Sequence, residues 1–177
     1  MTHDFSPLKD AQWPQEIADL KDGFAGRLNV YRTMAHHPAL LRGWAPLREH
    51  VVRKTTLGAE RSEVVILRTG LRLGAEYEIA HHIARATAIG MERPRIDTIL
   101  GPLDGMAEND ATLARAVDEL CESAALTPAT RRALETLTGP QGVLDLMATV
   151  GFYTTLAFLV KSFDVPIDDD LTLPPAR

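Results

Sequence analysis

From Leu146 to Val160 the chain carries no charged residue, and Phe152, Tyr153, Leu156, Phe158, Leu159 and Val160 crowd that run with bulky apolar side chains. Asp145 and Lys161 bound it. A helix that is apolar nearly all round has to be covered, in a core or between subunits. A membrane span wants about 20 apolar residues. This run is shorter and is interrupted by Thr149, Thr154 and Thr155. The expectation is a central core or subunit-interface helix, with no membrane partner.

Helical punctuation fills the rest of the chain, and short alternating Val/Ile/Thr runs with hairpin turns are missing. Trp13-Pro14 marks a first helix with Pro14 at an early position. A second is expected over 26–35, stopped by His37-Pro38, and a third over 38–52. The fourth follows Gly58 over 59–73, and the fifth runs over 75–89 to a left-handed cap at Gly90. Residues 93–100 suggest a short helix. Residues 109–125 are amphipathic, with Leu113, Ala116, Leu120 and Ala124 on one face. Thr127-Pro128 opens the next helix, and a long last one covers 140–163. The stretch from Leu126 to Val165 repeats the sense of that from Leu57 to Met91, which suits packed helical hairpins. Residues 1–12 read as a flexible arm, 13–167 as one all-α domain, and 168–177 as an extended tail.

Composition limits the function. A chain of 177 residues, 45% hydrophobic and 24% charged, fits a single globular domain with a real core. A net charge of -5 argues against a nucleic-acid partner. The basic cluster Arg48, His50, Arg53 and Lys54 is interrupted by Glu49 and reads as a solvated helix face. Cys121 is the single cysteine, so neither an intramolecular disulfide nor a multi-thiolate metal site can form. With Glu119 and Glu122 beside it, its thiol reads as an inert packed group. Met1 to Lys9 has no secretory-signal pattern, and a cytoplasmic location is expected.

Chemistry concentrates between Ala75 and His82. Glu78 and His82 are four apart and His81 is three from Glu78, so these side chains can meet on one helix face. A carboxylate–imidazole pair holds a proton near neutral pH, as general acid–base catalysis requires. An ordinary helix-surface ion pair would show the same spacing. Glu63 lies in the first turns of the preceding helix, where the dipole favours acids in any case. Glu78-Ile79-Ala80-His81 is also the Glu-x-x-His element that di-iron bundles use twice. It occurs once here, and no metal or cofactor is expected. Neither a Gly-rich phosphate loop nor a Gly-x-Ser-x-Gly elbow is present.

Arg61-Ser62-Glu63-Val64-Val65-Ile66-Leu67-Arg68, followed by Gly74-Ala75-Glu76-Tyr77-Glu78-Ile79-Ala80-His81-His82, resembles the carboxymuconolactone decarboxylase family, which shares its all-helical fold with alkylhydroperoxidase D. The flanks from Asn29 to Pro38, Gly151 to Thr155 and Phe163 to Pro166 agree, so the resemblance covers about residues 25–167. In the peroxidase branch a Glu precedes a Cys-x-x-Cys and a later His. Laid on this chain those positions are Glu63, Ala75, Glu78 and His82, with Tyr77 between the two cysteine positions. The relay ends remain and the dithiol is gone. Without it there is no thiolate to attack a peroxide and none to resolve a sulfenate.

The resemblance therefore implies a non-redox acid–base lyase, decarboxylase-like, acting on a small organic acid or lactone. His82 is the expected proton donor, with Glu78 to orient it, Glu63 to close a relay, Tyr77 to donate to oxyanion charge, and His81 beside them. The alternatives are an alkylhydroperoxidase-type antioxidant protein and a non-catalytic oligomeric binding protein. A homo-oligomer is expected: a dimer, trimer or hexamer.

Overall fold

Glycine and proline set the helix boundaries in the computed structural model, which describes residues 3–169 and 171. Single-turn 3-10 segments at Asp10–Gln12 and Gln15–Ile17 lead into α1 (Ala18–Lys21) and then α2 (Asn29–Met34). The entry at Trp13-Pro14 is thus a chain of short turns, where a full helix was expected. α3 (Pro38–Glu49) starts with Pro38 in its first turn, and the His37 ring accepts from the Leu40 N–H at 3.3 Å. α3 does not run on to Val52 as an α-helix: it widens at His50–Lys54 into a π-helical turn.

α4 (Ala59–Leu73) and α5 (Glu76–Ala88) form a hairpin. Gly74, at φ 59, closes α4. Its left-handed conformation lets the Ala75 N–H return to the Gly70 carbonyl at 2.9 Å, a glycine-terminated cap. Gly70 sets how closely the two helices approach. A Cβ there would stand 3.1 Å from Ile79 Cγ1 and 3.6 Å from Glu78 Cβ, so only hydrogen fits without displacement. After α6 (Arg93–Ile99) and α7 (Glu108–Ser123), α8 spans Pro128–Ser162. Gly139, at φ 72 and ψ 171, breaks α8 ahead of Pro140, so the two helices expected from sequence are joined end to end without a loop.

The most enclosed element is α4, buried on every residue from Ser62 to Gly70 and packed against α5, α7 and α8. The apolar run of α8 has an inner face and an outer one. Phe152, Tyr153, Leu156 and Val160 join Ile17, Tyr31, Leu41, Ile66 and Tyr77 in one core cluster, while Leu146 and Val150 join Leu67, Ile99, Leu113 and Leu134 in another. Leu144 and Phe158 stay 67% and 61% exposed on the other side. By length and composition α8 could cross a membrane, yet 56% of its most apolar stretch is buried within the protein.

Two terminal expectations need correction. The segment expected as a flexible arm is pinned along its described residues: Leu8 is buried, Phe5 stacks on Phe163, and Arg32 donates to the Leu8 carbonyl at 2.7 Å. The tail expected to begin at residue 168 contributes a buried side chain at once, since Asp168 is enclosed against α2 and α5. Residues 170 and 172–177 of that tail lie outside the described residues.

The two faces of α8 make opposite predictions at adjacent positions. Nothing lies within 4 Å of a Cβ at Gly151, so Gly151→Ala should gain about 0.5–1 kcal/mol from helix propensity. Phe152→Ala should lose about 3–5 kcal/mol from cavity formation. Urea unfolding of the two variants checks this, and the reverse order would contradict the assignment of the faces.

Candidate active site

α4 and α5 bring Glu63, Glu78 and His82 together. All three side chains are buried. Glu63 Oε2 lies 2.6 Å from His82 Nδ1, across 19 positions of sequence. A carboxylate can only accept here, so Nδ1 carries the hydrogen and Nε2 presents its lone pair. Nε2 faces Glu78, whose Oε2 is 3.9 Å away. The orienting carboxylate is therefore Glu63, not Glu78 as the helical spacing suggested. The i,i+4 separation places Glu78 near the ring but on its other nitrogen, beyond hydrogen-bond reach. Arg85 closes on the second oxygen of Glu63, with its Nε 3.4 Å from Oε1.

His81 and Tyr77 belong to a separate network. His81 Nδ1 donates to the Tyr77 carbonyl at 2.8 Å, and its Nε2 donates to Asp168 Oδ2 at 2.8 Å. The Tyr77 hydroxyl donates to the same oxygen at 2.5 Å, and the Asn29 N–H donates to Oδ1 at 2.9 Å. With its proton committed to Asp168, Tyr77 is not placed as the oxyanion donor expected of it. Asp168 was not foreseen, because nothing in the acidic run Asp168-Asp169-Asp170 marks it in the sequence as turned inward. The tail's Leu171 borders the same cleft.

That cleft has a volume of about 320 Å³. Glu78, His81 and His82 lie on its floor, and Val30, Tyr31, Tyr153 and Leu156 supply apolar wall. Arg48 and Arg85 also border it. Arg48 therefore departs from the reading of residues 48–54 as a solvated basic face. Its guanidinium carbon sits 4.2 Å from the Phe24 ring centroid and 5.7 Å from that of Tyr31. His50, from the same cluster, reaches Asp145 at 2.6 Å. Arg53 and Lys54 stay at the surface beside Glu49. A second cleft of about 380 Å³ lies on the far side of Glu63, with Arg85 and Tyr153 as shared wall. Among the described residues, no three His, Cys, Asp or Glu side chains converge as a metal-ligand set.

Residues 38–122 match the model of the carboxymuconolactone decarboxylase family. The fold is similar to that of an uncharacterized peroxidase-related protein from Silicibacter sp. TM1040, with a TM-score of 0.77 at 12% identity over 96% of both chains. A protein from Ralstonia eutropha JMP134, described as an alkylhydroperoxidase AhpD core and uncharacterized peroxidase-related protein, gives 0.74 at 16% identity over 96% of this chain and 95% of that one. The family match thus runs from the start of α3 into α7, and the fold of the whole chain is the one these peroxidase-related proteins share. A cysteine-to-alanine variant of the debrominase Bmp8, in complex with 2,3,4-tribromopyrrole, also shares the fold, with a TM-score of 0.73 at 16% identity over 96% of this chain and 94% of that one. No curated protein sequence matches this chain.

The two positions that the sequence resemblance set against a dithiol are Ala75, fully buried at the start of α5, and Glu78 in its first turn. Cys121 sits on α7 against the second core cluster, does not border the cleft, and has its thiol pushed up by burial. The group that faces the histidine here is the Glu78 carboxyl.

Burial sets the protonation of that pair. It pushes Glu78 up to about 7, only partly opposed by His81 and Arg85. It also holds His82 below the ordinary histidine value, although Glu63 pulls the other way. His81 is raised: burial lowers it, but the bonds to Asp168 and the Tyr77 carbonyl outweigh that. Near neutral pH the cleft thus presents a neutral imidazole and a carboxyl group that is substantially protonated.

Glu78 makes a signed prediction for stability. Its folded value lies above the unfolded one, so its contribution is intact below about pH 4.5 and is lost as pH rises through about 7. Glu78→Gln lacks that loss. The stability of the variant relative to wild type should rise by on the order of 3 kcal/mol between pH 4.5 and 8.5. Urea unfolding at several pH values checks this, and a difference independent of pH would contradict it.

Proposed function

We propose that this protein is a non-redox acid–base enzyme, a decarboxylase-type lyase acting on a small organic acid or lactone. One observation carries the reading. Glu63 holds His82 Nδ1 at 2.6 Å, so the basic Nε2 faces a buried carboxyl group, Glu78, at the floor of a cleft. A base and an acid side by side can take a proton from one substrate atom and return one to another. Their roles differ from those implied by the resemblance, with Glu78 as the proton donor and His82 as its partner base.

The step balances without a cofactor. The bond from ring carbon to carboxylate breaks, carbon dioxide leaves, and the electron pair moves into the neighbouring carbonyl as an enolate. Glu78 then delivers its proton to the carbon. His82, re-protonated from solvent, returns a proton to the Glu78 carboxylate through a water that bridges the 3.9 Å between them. The apolar wall formed by Val30, Tyr31, Tyr153 and Leu156 favours loss of the charged carboxylate from a poorly hydrated site. The debrominase of the same fold was crystallised with a small halogenated ring, which supports a ring-sized substrate here. An antioxidant thiol-peroxidase reading draws no support from Cys121, which lies away from the cleft. Assembly into a homo-oligomer is part of the proposal, supported by the outer face of α8 over 141–160, which exposes no charge and carries Leu144 and Phe158.

Carboxyl-labelled cyclic acids and lactones, followed by NMR for release of carbon dioxide, test the proposal. With a substrate in hand, His82→Gln and Glu78→Gln should each lower kcat by about 10²–10⁴-fold. Unchanged turnover in His82→Gln would contradict the assignment. Thiol-dependent hydroperoxide reduction that disappears in Cys121→Ser would replace it with the peroxidase reading.

A further inference from the structure

The charged groups around the cleft cancel in pairs, with one exception. Arg85 closes on Glu63, and His81 bonds to Asp168. His82 is the neutral imidazole described above, and the Glu78 carboxyl, pushed up to about 7, is only partly ionised near neutral pH. That leaves Arg48. No carboxylate among the described residues lies within ion-pair distance of it, whereas its neighbours Arg53 and Lys54 both reach Glu49. Its Nε is buried and has no hydrogen-bond partner. The guanidinium carbon instead lies over the Phe24 ring and close to that of Tyr31. It also pulls the Tyr31 phenol down against the burial that pushes it up to about 12, so that hydroxyl stays protonated beside it.

A guanidinium with an orphaned buried N–H and no counter-ion is an arrangement that folding alone does not favour. Packing against these rings restricts the side chain, and its planar fork matches a carboxylate in two-point contact. We infer that Arg48 is the specificity-determining residue of this cleft, binding the carboxylate of a small cyclic acid whose ring lies against Tyr31 and Tyr153. This rests on the acid–base reading for what happens to the ligand, but not for whether it binds. A carboxylate anchored at Arg48 holds the ring over Glu78 and His82, so the group recognised there is retained while chemistry occurs elsewhere on the ring. Substrates would then carry two carboxylates, one held at Arg48 and one lost.

Benzoate and benzamide are suitable probes because they differ only in the charged group. Calorimetric titration should show wild type binding benzoate in preference to benzamide. Arg48→Gln should weaken benzoate by about 10- to 100-fold and leave benzamide unchanged. Arg48→Lys should recover only part of the loss, since an ammonium lacks the fork. Thermal melts identical to wild type establish that the variants fold. Equal binding of benzoate by wild type and Arg48→Gln, or no preference for benzoate in wild type, would overturn the inference. His82→Gln separates the two claims: benzoate binding kept with turnover lost supports both, and turnover kept alongside Arg48-dependent binding overturns only the acid–base reading.

Discussion

The hydrogen bond from His82 to Glu63 fixes the relation between α4 and α5, and the remaining site geometry follows from it. Burying a histidine and two carboxylates together is costly unless each is satisfied. Glu63 satisfies one ring nitrogen and, through its other oxygen, engages Arg85. Gly70 lets the helices close far enough for this to happen. What is left over is informative. Glu78 Oε1 is buried without a partner, and the lone pair of His82 Nε2 has only Glu78 nearby. Unsatisfied polar atoms at the floor of a cleft reduce stability, and such sites are characteristic of function rather than of folding.

The networks on either side support that centre in different ways. Asp168 gathers Tyr77, His81 and the Asn29 N–H, tying the C-terminal segment to α2 and α5 across the cleft. Asp145 gathers His50 and Thr56, tying the π-helical turn after α3 to the middle of α8. Both carboxylates fall below the usual range, because these bonds outweigh the burial that raises them. They behave as anchors, ionised and saturated. Glu78 is the opposite case, raised and unsaturated, and the contrast separates the reacting carboxyl group from the structural ones.

Much of the helix layout was legible, because glycine, proline and period-3.6 patterning act locally. Gly58, Gly74 and Gly139 mark real breaks, and the hairpin of α4 and α5 follows directly. Pairings across the fold were not legible. The i,i+4 rule points from His82 to Glu78, but the closer partner is Glu63 on another helix. Spacing gave no link between them, and only the family resemblance joined Glu63 to His82 as the two ends of a relay. Arg48 looked solvated because its sequence neighbours are, and only the packing of Phe24 and Tyr31 reveals otherwise. Leu8 falls in the expected flexible arm and Asp168 in the expected extended tail, because polar or proline-rich sequence carries no sign of the long-range partner that buries it.

The account turns on one proton: that on His82 Nδ1, placed there by Glu63. Nitrogen-15 NMR of histidine-labelled protein reads it directly. The account predicts that at pH 7 His82 is a neutral imidazole with hydrogen on Nδ1 and an unprotonated Nε2, and that Glu63→Gln shifts its tautomer balance while leaving His81 charged. An imidazolium at His82, or hydrogen on Nε2 in wild type, would contradict it.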